Sequence, residues 1–114
     1  MLIYGDSNSW GYLDDRQGKR YDRRWPIEMC RRLSKILPLT LIEECLPGRT
    51  TDLDDMVMGN GFNGKAHLET ILRSHQPLDH IVIMLGTNDL KARFNRSAED
   101  IAKSLVGLGQ LARN

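Results

Sequence analysis

Gly5-Asp6-Ser7, a lone Gly48 and Gly86-Thr87-Asn88-Asp89 are the residues of this 114-residue chain whose types could do covalent chemistry together. A serine hydroxyl can attack an ester carbonyl when a base takes its proton. The oxyanion that develops then needs preorganised N–H donors. The Ser7 backbone N–H serves if a helix or turn begins at that residue. Gly48 offers a backbone N–H with no side chain in the way, and Asn88 offers a side-chain amide. Each also has a plainer reading. Ser7 can be a turn residue, Asn88 and Asp89 can cap a turn, and Gly48 is compatible with both readings because a donor needs the same permissive backbone.

The elements that must position these groups can be read from apolar spacing. Leu2-Ile3-Tyr4, ended by Gly5, is a short first strand. Residues 12–24 are polar and without period, a loop. From Arg24 to Leu37 the residues Leu33, Ile36 and Leu37 fit helical spacing, Pro26 suits a first turn and Pro38 stops the helix. Thr40–Glu44 is a second strand, with Pro47-Gly48 a turn after it. Residues 59–65 form a glycine-rich loop, and His67–Ser74 carries Leu68, Ile71 and Leu72 on one helical side. Ile81–Leu85 is an apolar run expected to be buried on both faces, as in a parallel sheet. Ser97 and Asp100 make a capping box ahead of Ile101, Leu105 and Leu108, so a final helix starts there.

Strand and helix thus alternate, which argues for a parallel α/β sheet with right-handed crossovers. In such sheets ligands bind beyond the carboxyl ends of the strands. That rule brings Asp6-Ser7, Gly48 and Asn88 to one edge.

Bulk properties narrow the class. The length suits one domain, and 40% hydrophobic with 27% charged residues is ordinary for a globular protein. A net charge of +1 argues against nucleic-acid or membrane-surface partners. No apolar run reaches the roughly 20 residues a membrane span needs. The start has no secretory pattern. Cys30 and Cys45 are isolated and read as reduced, buried thiols, so a cytoplasmic protein is expected. Residues 19–24 are read as a solvated basic loop. Residues 52–55, "DLDD", lack the glycine and distal glutamate of a calcium loop and are read as a helix start. Trp10 and Asn8 follow the serine; Trp10 could wall an acyl pocket or sit in the core.

"GDSNSWG" after the first strand, the glycine after the second and "GTND" after the third resemble the first three blocks of the SGNH (GDSL-type) hydrolases. "PGRTTDLDD" and "DHIVIMLGTNDLKARF" resemble the bacterial arylesterase branch of that family. The resemblance covers residues 1–114. It implies a three-layer α/β/α sandwich with a flavodoxin-like parallel sheet, of which three of about five strands are present, so the domain is expected to be truncated on its carboxyl-terminal side. It implies Ser7 as nucleophile and Asp6 as a supporting acid. It implies Ser7 N–H, Gly48 N–H and the Asn88 amide as oxyanion donors. The activity implied is hydrolysis of small acyl or aryl esters through an acyl-serine, with no metal or organic cofactor.

The family's D-x-x-H block, which carries base and triad acid, is absent. Gly64, Leu72 and Pro77 stand three residues before His67, His75 and His80. His80 opens the third strand and so lies roughly 17–20 Å from its far end; His75 lies at that same end. His67 starts the next helix on the active edge and could approach Ser7, or could simply be a surface histidine. The chain by itself is therefore expected to be inactive or weakly active. A catalytically inactive remnant and a flavodoxin-like small-molecule binding module with a phosphate in its first loop are the alternatives. With strand order 2-1-3 the third strand is an exposed edge, which predicts weak stability or pairing with a second copy.

Overall fold

The structure is a computed structural model that describes residues 1–14 and 17–114. Strand β1 (Leu2–Gly5) leads directly into a single-turn helix α1 (Ser7–Trp10). Helix α2 (Trp25–Leu33), strand β2 (Ile42–Cys45), helix α3 (Gly64–Ser74), strand β3 (Ile81–Met84) and helix α4 (Ala98–Arg113) follow. Two 3-10 turns, Asn88–Leu90 and Ala92–Phe94, lie between β3 and α4. The sheet is parallel with order β2-β1-β3. Leu2 stands opposite Ile42 and Ile81, and Gly5 opposite Cys45 and Met84, so all three strands end level. That common end gathers the segments that follow each strand.

Side chains alternate across β1. Leu2 and Tyr4 point to one face, where they form the core with Leu68 and Leu72 of α3, Leu108 of α4, and Leu85. The Tyr4 hydroxyl donates to the Gly64 carbonyl at 2.6 Å, which seats the start of α3 over the sheet end. Ile3, fully buried, points to the other face. Gly5 is required where β1 turns into α1, because a Cβ there would stand 2.6 Å from Ser9 Oγ and 3.2 Å from the Met84 carbonyl. The α/β architecture and strand order agree with the expectation, and the Ser97–Asp100 capping box is formed in both directions.

Several local expectations are corrected. Helix α2 ends at Leu33, not Leu37: Ile36 and Leu37 find nothing to bury against and are 80% and 43% exposed. Helix α3 starts at Gly64, three residues before His67, because the Gly64 and Lys65 N–H groups donate to the Thr50 and Thr51 carbonyls and Asn63 caps Ala66 N. Residues 52–55 are not a helix start: Asp52 lies in a bend, Leu53 and Asp54 are irregular and Asp55 bridges Gly59. Strand β2 is Ile42–Cys45, shifted from Thr40–Glu44. Strand β3 is not buried on both faces. It is the sheet edge, with Ile81, Val82 and Ile83 half-buried and Met84 46% exposed. Among the described residues no helix is long and apolar enough to cross a membrane.

Leu68 is completely buried between β1 and the helices. Leu68→Ala is expected to cost about 3 kcal/mol, read as a lowered urea midpoint at unchanged slope.

Candidate active site

Ser7 occupies the first turn of α1, directly after β1. Asp6 is the N-cap, and its carboxylate accepts the Asn8 backbone N–H at 2.9 Å. An acid is the right residue there, since it satisfies a helix-end donor that nothing else reaches. Asp6 is almost wholly buried, and burial pushes its carboxyl pKa above the usual range, against the Asn8 hydrogen bonds and the Arg49 charge, which pull it down. Ser7 itself is half-buried. As the first residue of the helix it has a backbone N–H with no intrahelical acceptor. Asn8 donates its side-chain amide to Thr87 Oγ1 at 3.1 Å, tying the α1 start to the segment after β3.

Gly48 follows β2 with φ of +92°, a left-handed value that disfavours a side chain. A Cβ at this position would also stand 2.9 Å from Met58 Cε and 3.2 Å from the Phe62 ring. The next residue ties the site together. The Arg49 guanidinium is buried, lies 4.0 Å over the Tyr4 ring, and donates to the carbonyls of Glu44 (2.6 Å) and Gly5 (3.2 Å). It thereby joins the ends of β1 and β2. Burial lowers its pKa, countered chiefly by Tyr4 and Cys45. Its backbone carbonyl accepts the Asn88 side-chain amide at 3.0 Å. That bond uses one amide hydrogen of Asn88 and leaves the second for a ligand.

Asp89 holds the next layer. Fully buried, it accepts the Thr51 backbone N–H at 2.9 Å and the Thr51 hydroxyl, and it pairs with Arg96 at 2.9 Å. Arg96 also reaches Asp52 and Ser104. A second clamp lies further out. Asp55 accepts the Val57 and Met58 N–H groups and pairs with Arg93 at 2.6 Å, with Lys91 4.0 Å away.

The structure therefore brings Asp6-Ser7, Gly48 and Asn88 to the same sheet end. It leaves the histidines apart. His75 donates to or accepts from Glu44 at 2.7 Å, His80 is exposed at the far end of β3, and His67 is exposed on α3. His67 lines a cavity of about 280 Å³ with residues of 54–66, and that lining includes neither Ser7, Gly48 nor Asn88. Among the described residues no histidine or carboxylate is hydrogen-bonded to Ser7 Oγ, and none form a metal-binding group of three. Trp10 is half-buried, with Arg20 stacked 4.6 Å over its ring and Tyr12 at 6.3 Å. Of residues 19–24, read as a solvated loop, Lys19, Tyr21, Asp22 and Arg23 are exposed, while Arg20 and Arg24 are half-buried and Arg24 pairs bidentately with Glu43. Both cysteines are half-buried and free; burial pushes the Cys45 thiol up to about 11, so it stays protonated and is no rival nucleophile.

Arg49 and Arg96 escaped the sequence reading, and Thr87 and Asp89 are read there only as part of the block after β3. The two arginines are charged residues that a local reading places on the surface; Arg49 is buried and Arg96 half-buried, and only their contacts mark them out.

Residues 3–114 match the GDSL-like Lipase/Acylhydrolase family. A sequence comparison with curated proteins finds no match. Among solved structures, the chain is similar to Est24, a carbohydrate acetylesterase from Sinorhizobium meliloti, at 39% identity and TM-score 0.83, covering 96% of this chain and 52% of that one. It is similar to the native aryl esterase of M. smegmatis at 38% identity and TM-score 0.86, again covering 96% and 52%. The chain thus spans about half the length of the solved structures it matches.

Arg93, with the Val57 and Met58 N–H groups, holds the Asp55 carboxyl well down, at about 2. A depressed carboxyl stabilises the fold above its unfolded pKa near 3.8 and loses that contribution as pH falls through 2. The thermal midpoint of Asp55→Asn is expected to lie below the parent's at pH 7 and to converge with it near pH 2.

Proposed function

The chain belongs to the GDSL-like lipase/acylhydrolase family, and from that premise we propose that its site serves hydrolysis of small acyl or aryl esters through an acyl-serine intermediate. Ser7 Oγ attacks the carbonyl carbon and its proton passes to a base. The carbonyl electrons move onto oxygen, which the Ser7 N–H, the Gly48 N–H and the Asn88 amide receive. Collapse expels the alcohol or phenol, and water then releases the acid from the serine. Asp6 supports the nucleophile by capping the turn that aims it. The observation that carries this reading is the Asn88 amide fixed on the Arg49 carbonyl, which sets one oxyanion donor beside the Gly48 turn. The esterase neighbours support the same class of reaction.

The base is the open element, since no described histidine reaches Ser7. This favours a second reading, a chain that keeps the oxyanion frame without turnover. A fluorophosphonate is expected to modify the parent chain once, at Ser7, and to leave Ser7→Ala untouched. Asn88→Ala should slow the reaction by about 10²–10³. Hydrolysis of p-nitrophenyl acetate that disappears in Ser7→Ala supports the esterase reading. Equal background rates in parent and variant, with no serine labelled, leave the non-catalytic reading standing.

The free edge of β3 supports pairing with a second copy. The expected signature is a thermal midpoint that rises with protein concentration; a sharp, concentration-independent transition of a monomer contradicts it.

A further inference from the structure

The loop after Gly48 holds apolar side chains in solvent. Met56, Val57 and Met58 are 93%, 72% and 43% exposed. Exposed apolar side chains are common on mobile loops, where they need no explanation. These are held. The side chain of Asp55 is fully buried, accepts the Val57 and Met58 N–H groups at 3.0 and 3.1 Å, and is gripped by Arg93 through two hydrogen bonds. Gly59 N–H closes the turn onto the Asp55 carbonyl at 2.9 Å. A buried, charge-assisted clamp thus fixes the backbone of a turn whose side chains stay in water.

The direction of that turn is informative. Met58 Cε and the Phe62 ring are the atoms that fill the space beside the Gly48 α-carbon, where a Cβ would meet them at 2.9 and 3.2 Å. An oxyanion on the Gly48 N–H sits about 3 Å from that nitrogen. The Met58 methyl and the Phe62 ring flank the very residue whose N–H is assigned to that oxyanion. A thioether and a phenyl ring suit an uncharged apolar partner, an aromatic ring above all.

We infer that Met58 and Phe62, held by the Asp55–Arg93 pair, form a subsite for the apolar, preferably aromatic, substituent of the ester. This rests on the oxyanion assignment of Gly48 made above. Asp55 and Arg93 act through the turn and are positioning residues.

The test uses the 1–114 chain as Ser7→Ala, with ¹³C-methyl methionine, titrated with phenyl acetate; the missing hydroxyl keeps the ester intact. The Met58 methyl resonance is expected to move upfield in a saturable way, while Met1 and Met29 stay. Met58→Ala should weaken phenyl acetate binding about five-fold and leave methyl acetate binding little changed. Arg93→Met should move the ligand-free Met58 resonance toward that of free methionine, and Arg93→Lys should restore part of the shift. Saturation with no change at Met58, or shifts centred on Met84, overturns the proposal. So do changes at Met56 and Met58 that follow protein concentration without ester, which would assign the surface to a second copy. If Ser7 fails to label in the parent chain while Met58 still reports the aryl group, the catalytic reading falls and the subsite stands.

Discussion

A guanidinium with almost no access to water sits where three loops have to meet. Arg49 stacks on Tyr4, donates to the Gly5 carbonyl that ends β1 and the Glu44 carbonyl of β2, and through its own carbonyl holds Asn88 from the segment after β3. Removing a cation from water is costly unless each donor finds an acceptor. Here two backbone carbonyls and an aromatic face serve, and the Nε is left without a partner among the described residues. The cost is tolerated where it does positional work. The ladder already sets the end of β2 beside that of β1, and the Arg49 strut adds the tie to Asn88, so that the Gly48 turn and Asn88 share a common reference.

Around that strut the site is built from polar residues buried by the fold. Asp89, Thr51 and Arg96 close one network, and Asp55 with Arg93 closes another. Both join the segment after β2 to the segment after β3, which lie 38 residues apart in the chain. Hydrophobic packing does not do this, because the apolar side chains of these loops, Met56, Val57 and Leu90 among them, stay in solvent. Charged pairs replace it, and direction comes with them, since a carboxylate that accepts two backbone N–H groups fixes the turn that carries them. The core proper, Leu2 and Tyr4 under Leu68, Leu72 and Leu108, holds the sheet against α3 and α4 and leaves the edge to these polar contacts.

The sheet is short, and β1, flanked on both sides, carries most of its order. The strands on either side each have one free edge. That explains why Ile81–Ile83, apolar throughout, are only half-buried: burial depends on what lies beside a strand, and β3 has one strand neighbour and α4 packed on it. A strand's own residues report how apolar its surroundings could be. They do not report how many neighbours are present.

The sequence by itself determined the order of elements, the α/β class and the three blocks at the strand ends, because apolar periodicity, proline and glycine stops and the Ser97 capping box are local signals. It also determined the separation of His75 and His80 from Ser7, since a strand has a fixed length per residue. Tertiary structure alone decided the rest. Helix α3 begins at Gly64 because Thr50 and Thr51 supply acceptors from another segment. "DLDD" stays irregular where Arg93 and Arg96, about 40 residues on, take Asp55 and Asp52. Arg49 reads as one more surface arginine until Tyr4, Gly5 and Glu44 close around it. Each of these depends on contacts between residues distant in the chain, and no local pattern encodes which partner a charged side chain will meet.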